Sequence, residues 1–157
     1  MSDIVRARRT GKIEGEFVVF LIGMRVNRWW KLHKVFQVAA AMTRMQKELG
    51  EHPELGFLGQ ESWFGRTTIM VSYWRSMDQL MRYAKSKTHA HLPAWQKFNR
   101  TIGTSGDVGI WHETYRSRAG DYEGVYVNMP EFGLAKAGSA MAAEGVYATA
   151  ESRLGAA

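Results

Sequence analysis

Five histidines, six tryptophans and no cysteine set the chemistry open to this chain of 157 residues. Without cysteine, disulfides, thiolate metal sites, iron–sulfur clusters and a cysteine nucleophile are excluded together. A metal or haem would have to be held by His, Asp, Glu, Tyr or Met. His112 is the first candidate. It sits in Val108–Tyr115, a run of strand character in which alternation places it on one face with Val108, Ile110 and Thr114, while Trp111, Glu113 and Tyr115 point the other way. An imidazole on an apolar face can act as general base, as donor to an oxyanion or as axial haem ligand, since histidine changes charge near neutral pH. The alternative is a core histidine bonded to backbone. His89 and His91 flank the start of a helix that Pro93 helps to open, where the macrodipole disfavours a cationic ring. A His-x-His pair offers two ligands at most and no third, so the expectation there is no metal site; loop hydrogen bonding is the rival role for each ring.

Arg25 and Asn27 end an apolar strand. Arg25 could hold a carboxylate or haem propionate through its planar fork, or pair with a local acid such as Glu113; Asn27 could steady an oxyanion or cap the following helix. Trp111, Tyr73 and Trp95 are candidate walls of a substrate pocket, with His89 beside them, although core packing accounts for most aromatics. The methionines at 42, 45, 77 and 81 fall at helical spacing and read as core filler.

Positioning these groups requires a particular order of elements. Phe17–Val26 is β-branched and aromatic with no polar alternation before Arg25, the pattern of a strand covered on both faces. From Trp30 to Leu49, apolar residues at 35, 38, 39, 42, 45 and 49 mark an amphipathic helix stopped by Gly50, with Pro53 close behind. Phe57–Trp63 and Thr67–Trp74 read as a hairpin. Ser76-Met77-Asp78-Gln79 is a capping box opening a helix, and Trp95, Phe98 and Ile102 stripe another. Val108–Tyr115 and Tyr122–Asn128 are the last two strands.

This βαββαβ(β) order predicts an α+β, ferredoxin-like antiparallel sheet with both helices on one face. The first strand is apolar on both sides, so the helix-free side needs a cover, and a second copy of the sheet is the economical one. A homodimer is therefore expected, with the Ala/Gly/Ser-rich tail as the less favoured cover. The expected division is an N-terminal arm over residues 1–16, a domain over 17–129 and a tail over 130–157.

Several blocks, in order, resemble one family: Phe17–Asn27, Tyr73-Trp74-Arg75-Ser76, His89–Trp95, Phe98-Asn99-Arg100, Gly106–Tyr115 and Asn128-Met129-Pro130. Over about residues 17–133 the chain looks like the small bacterial and fungal family named after a monooxygenase of fumagillin biosynthesis. That resemblance implies a dimeric α/β-barrel and kinship with antibiotic-biosynthesis monooxygenases, some of which oxidise substrates with no bound cofactor, while relatives of the fold bind haem. It carries fold further than chemistry, and it brings no established catalytic set.

A monooxygenase-like enzyme, an oxidoreductase acting on a small aromatic or polyketide-like molecule, is therefore the leading expectation. His112 would serve as base, with Asn27 or Arg25 steadying the anion, and His91 is a further catalytic candidate. The alternatives are a haem protein of the aldoxime-dehydratase or haem-degrading kind, with His112 or His91 as axial ligand, and a non-catalytic small-ligand-binding dimer. Cofactor use is read as none or haem. The surplus of 21 Lys and Arg over 15 Asp and Glu is spread along the chain, and apart from the cluster from Arg6 to Arg9 there is no stripe with interleaved aromatics, so no nucleic-acid partner is expected. The longest apolar run is too short for the roughly 20 residues of a spanning helix, and no secretory signal is read at the start, so no membrane partner and a cytoplasmic location are expected. Phosphate-loop, dinucleotide and nucleophile-elbow motifs are absent.

Overall fold

The computed structural model describes residues 3–101 and 103–155, so Ile102 of the predicted helical stripe lies outside the described residues. Its main sheet contains β2 (Phe17–Val26), β3 (Phe57–Trp63), β4 (Ile69–Trp74) and β5 (Val108–Ser117), all antiparallel in the order β3-β4-β2-β5. Helices α1 (Leu32–Glu51), α2 (Met77–Lys85) and α3 (His91–Thr101) are the connections. The strand order is the ferredoxin-like one, and the α+β expectation holds. β2 is central because it is apolar throughout and pairs along its whole length with β5, from Phe17 opposite Ser117 to Val26 opposite Val108.

Local chemistry sets the helix ends. Gly50 does not stop α1, which runs on to Glu51. Pro53 ends it, because the residue before a proline is pushed out of the helical region, and His52 sits at φ −126°, ψ 72°. The capping box at α2 forms by half. Ser76 Oγ accepts the Gln79 backbone N–H at 3.2 Å, but the Gln79 side chain accepts from Ser76 Oγ at 3.2 Å and donates to the Glu54 carbonyl at 3.4 Å instead of reaching the Ser76 backbone N–H.

Each face of the sheet carries its own core. On the helix side Val18, Leu49, Trp74, Leu80 and Tyr83 pack together. On the other side Ile13, Phe17 and Leu134 are buried, with Val19, Leu58, Tyr73, Tyr122 and Ala137 against them. This second core revises the expected division. The arm is a strand, β1 (Val5–Lys12), paired with β6 (Tyr126–Met129) on one side and β7 (Ser139–Ala142) on the other. The tail is ordered, with α4 (Gly133–Ala137) ahead of β7 and α5 (Ala150–Gly155) after it. β6 thus joins a second, three-stranded sheet and does not extend the main one. The tail, the less favoured cover in the sequence reading, shields the Phe17 end of the helix-free face. It does so with few large side chains, Leu134 packing on Ile13 and Phe17 with Ala137 beside it, and burying Phe17 is worth about 1.5–3 kcal/mol. Among the described residues no helix is long and apolar enough to cross a membrane.

Candidate active site

The helix side of the sheet does not close completely. Phe20 and Ile22 of β2, Met70, Ser72 and Trp74 of β4, and Ile110, His112 and Thr114 of β5 form one wall of a cavity of about 380 Å³. Met42, Met45 and Leu49 of α1, Leu80, Met81 and Tyr83 of α2, and His91 and Trp95 of α3 form the other. A smaller lobe between α1 and α3, about 80 Å³, shares Ile22, Met42, Met45, His91, Trp95 and Ile110 with the first, so the two adjoin. Its size and apolar lining with a few polar groups are those of a small-molecule site.

Strand parity decides which predicted residues reach it. The register pairs Ile22 with His112 and Phe20 with Thr114, so His112 lies on the helix side as expected. β5 is an edge strand, however, and His112 is exposed rather than enclosed, its ring 5.8 Å from that of Phe20. His91 is held more firmly. Its Nδ1 lies 3.0 Å from the Ala84 carbonyl oxygen. A carbonyl can only accept, so Nδ1 carries the proton and Nε2 is left as the basic nitrogen of a ring lining both lobes.

The structure brings together His112, His91 and Trp95 and separates the rest. Tyr73 projects from the opposite face into the second core, where burial, with Tyr126 and Glu61 nearby, pushes its hydroxyl up to about 12. Trp111 is on that face too, covering Gly23; its buried Nε1–H meets no acceptor among the described residues. Arg25, also on the far face, donates to Thr67 Oγ1 at 2.8 Å and not to Glu113. Asn27, past the end of β2, is exposed and lines neither lobe. The pocket-wall roles of Trp111 and Tyr73, and the anion-steadying roles of Arg25 and Asn27, therefore have no geometry beside His112: residues at odd positions of β2 and β5 face away from the helices.

His89 belongs to a clamp behind the cavity. Glu48 of α1 accepts from the Tyr83 hydroxyl at 3.0 Å, the Ala90 backbone N–H at 2.9 Å and His89 Nδ1 at 3.1 Å. Although burial pushes the Glu48 carboxyl up, the Ala90 N–H, His89 and Tyr83 together hold it below the usual carboxylate range. Burial first, then the bond to Glu48, pushes the Tyr83 hydroxyl well above its ordinary value. One carboxylate thus ties α1 to α2 and to the turn that delivers His91. Nothing in the sequence marked Glu48, which reads as a polar residue beside the apolar stripe.

The methionines are the other surprise. Met42, Met45 and Met81, read as core filler, line the cavity with Met70, and their unbranched thioethers suit an adaptable wall. At the floor, Ser72 Oγ donates to the Phe20 carbonyl at 2.9 Å and accepts from Trp74 Nε1 at 3.1 Å, so its polarity is already satisfied. Among the described residues no group of three or more His, Cys, Asp or Glu is placed to hold a metal ion.

Comparison with known proteins agrees with this architecture. Residues 17–134 match the family described as Monooxygenase af470-like. A curated relative, monooxygenase af470 of Aspergillus fumigatus, is 27% identical over 149 residues, covering 82% of this chain and 53% of its own length. The chain thus spans about half the length of that relative. A crystal structure of aldoxime dehydratase superposes with a TM-score of 0.66 at 16% identity, over 88% of this chain and 43% of that one, which speaks to the fold. SnoaB, a cofactor-independent oxygenase from Streptomyces nogalater, superposes at 0.45 with 14% identity, over 66% of this chain and 94% of its own.

Proposed function

The chain belongs to the Monooxygenase af470-like family, and from that premise we propose that it is a monooxygenase-like enzyme acting on a small aromatic or polyketide-like molecule held between helices and sheet. The observation that carries this reading is the basic Nε2 of His91 on the wall of an otherwise apolar, methionine-rich cavity. A substrate with an acidic methylene would give its proton to that nitrogen, and the carbanion would reduce dioxygen, the overall change being CH₂ plus O₂ to C=O plus H₂O. His112 faces the same space from the sheet. Oxygen uptake with a panel of polycyclic aromatic ketones bearing an acidic methylene tests the proposal. Uptake should require substrate and fall at least about 100-fold in His91→Ala, the usual contribution of a general base. Turnover that continues without oxygen, or is indifferent to both His91→Ala and His112→Ala, overturns it.

Haem binding is a second reading, favoured by the same His91 geometry, since a ring fixed through Nδ1 presents Nε2 as an axial ligand. His112 is the other candidate ligand. The donor set fits an axial bond, but the propionate contact expected of Arg25 does not fit, because that side chain lies across the sheet. Bound haem would supply iron redox chemistry for a haem-degrading reaction, or a Lewis-acidic iron for an aldoxime-dehydratase-like dehydration. Titration with haem should then give a Soret band that one His→Ala variant removes; no specific band rejects this reading. A non-catalytic ligand-binding role is what remains if ligands bind and no turnover is found.

The tail leaves part of the helix-free face open, with Trp63 45% and Tyr115 52% exposed on it, and this supports pairing with a second copy. Ultracentrifugation at micromolar concentration should find a dimer; a protomer alone under those conditions rejects it.

A further inference from the structure

Among the described residues the charged ones that line the cavity are Arg44 and Lys97, both cationic and both in the smaller lobe between α1 and α3. Among the described residues neither lobe has an Asp or Glu in its lining. Arg28 and Lys31, just before α1, pair with the buried Asp107, and Lys47 on α1 pairs with Glu51. Arg44 takes part in no ion pair or hydrogen bond among the described residues, although it lies one helical turn from Lys47. An apolar chamber with one cationic end is matched by a ligand with an apolar body and one anionic end.

Building on the proposal that this cavity is the substrate site, we infer that its ligand is a hydrophobic carboxylic acid whose carboxylate sits at Arg44, with Lys97 beside it. The Arg44 guanidinium offers the planar donor fork that a carboxylate accepts in pairs. His91 lines both lobes, so an acid anchored at Arg44 runs past Nε2 of His91 and ends in the larger lobe, whose sheet wall is Phe20, Ser72 and His112. The anchor would thereby fix which carbon of the substrate reaches the base. The seven methionine and tryptophan side chains in the walls contribute contact area but no discrimination between an acid and its ester. Discrimination therefore rests on the cations.

The test is a fluorescence titration of the full chain with 1-pyrenebutyric acid and its methyl ester at physiological salt, with energy transfer from tryptophan reporting occupancy. The acid should bind about tenfold more tightly than the ester, the worth of one charge-assisted interaction. Arg44→Gln should remove most of that ratio by weakening the acid and leaving the ester unchanged, and Lys97→Gln should remove a smaller part. Arg44 is exposed, so the variant should fold, and circular dichroism checks this. Arg82→Gln, an exposed arginine of α2 outside both lobes, should leave the ratio as it was. Equal binding of acid and ester, or an unchanged ratio in Arg44→Gln, overturns the inference and leaves the apolar cavity standing as the substrate site. A fall in the Arg82 variant equal to that in the Arg44 variant overturns it as well, as an effect of net charge. If neither compound binds, the cavity itself is not the site and both readings fall together.

Discussion

Replacing Glu48 by alanine isolates the clamp that delivers His91. The substitution strips three donors of their acceptor: the Tyr83 hydroxyl, the Ala90 backbone N–H and the His89 ring. A buried donor left without a partner costs about 1–3 kcal/mol. Tyr83 is 4% exposed, so its hydroxyl bears the full cost. The Glu48 side chain is 21% exposed and that of His89 28%, so water entering the vacated space restores part of the loss at the other two. The net expectation is a destabilisation of about 2–3 kcal/mol, read as a lower urea midpoint at unchanged slope. Tyr83→Phe alone, which keeps the ring in the core beside Trp74 and removes one bond to the carboxylate, should cost about 1 kcal/mol. Because the two side chains share a bond, the double variant should be less destabilised than the sum by about 1 kcal/mol. A Glu48→Ala protein within about 0.5 kcal/mol of the parent, or strict additivity in the cycle, would refute the claim that this carboxylate holds the helices together.

Other expectations follow from the same geometry. The Glu48 carboxyl is lowered in the folded state, so its contribution is complete above the unfolded value of about 4.3 and is lost as pH falls through the folded value; melting temperatures of parent and Glu48→Gln should differ by a constant amount above about pH 5 and converge below it. Leu134→Ala should cost about 2–4 kcal/mol in urea unfolding, because Leu134 is 9% exposed and seals Ile13 and Phe17; a loss under about 1 kcal/mol would mean the tail does not cover this face. Gly23→Ala should cost about 3 kcal/mol, at the upper end for overpacking. The added methyl would meet the Thr68 carbonyl oxygen and the Trp111 indole nitrogen, and a soluble yield equal to the parent's would contradict that packing.

Much of the main sheet is legible in the residues themselves. A strand apolar on both sides must lie between two layers, and the alternation of periods two and three-to-four residues fixes the βαββαβ order and hence the strand neighbours. His112 on the helix side follows from the same parity. What local pattern cannot supply is which distant segment covers an apolar face. The tail's small residues look incapable of burying anything, yet Leu134 and Ala137 close over Phe17 because β1, far away in sequence, supplies the strand that β7 pairs with. The Glu48 clamp is hidden for the same reason: its three donors come from 35 to 42 residues downstream, and a lone glutamate on a helix carries no mark of them. Composition and periodicity determine which surfaces must be buried and which residues share a face, since those depend on covalent geometry alone. Which imidazole is locked into one tautomer, which aromatic turns from the cavity and which cation goes unanswered depend on contacts between segments, and only the assembled tertiary structure decides them.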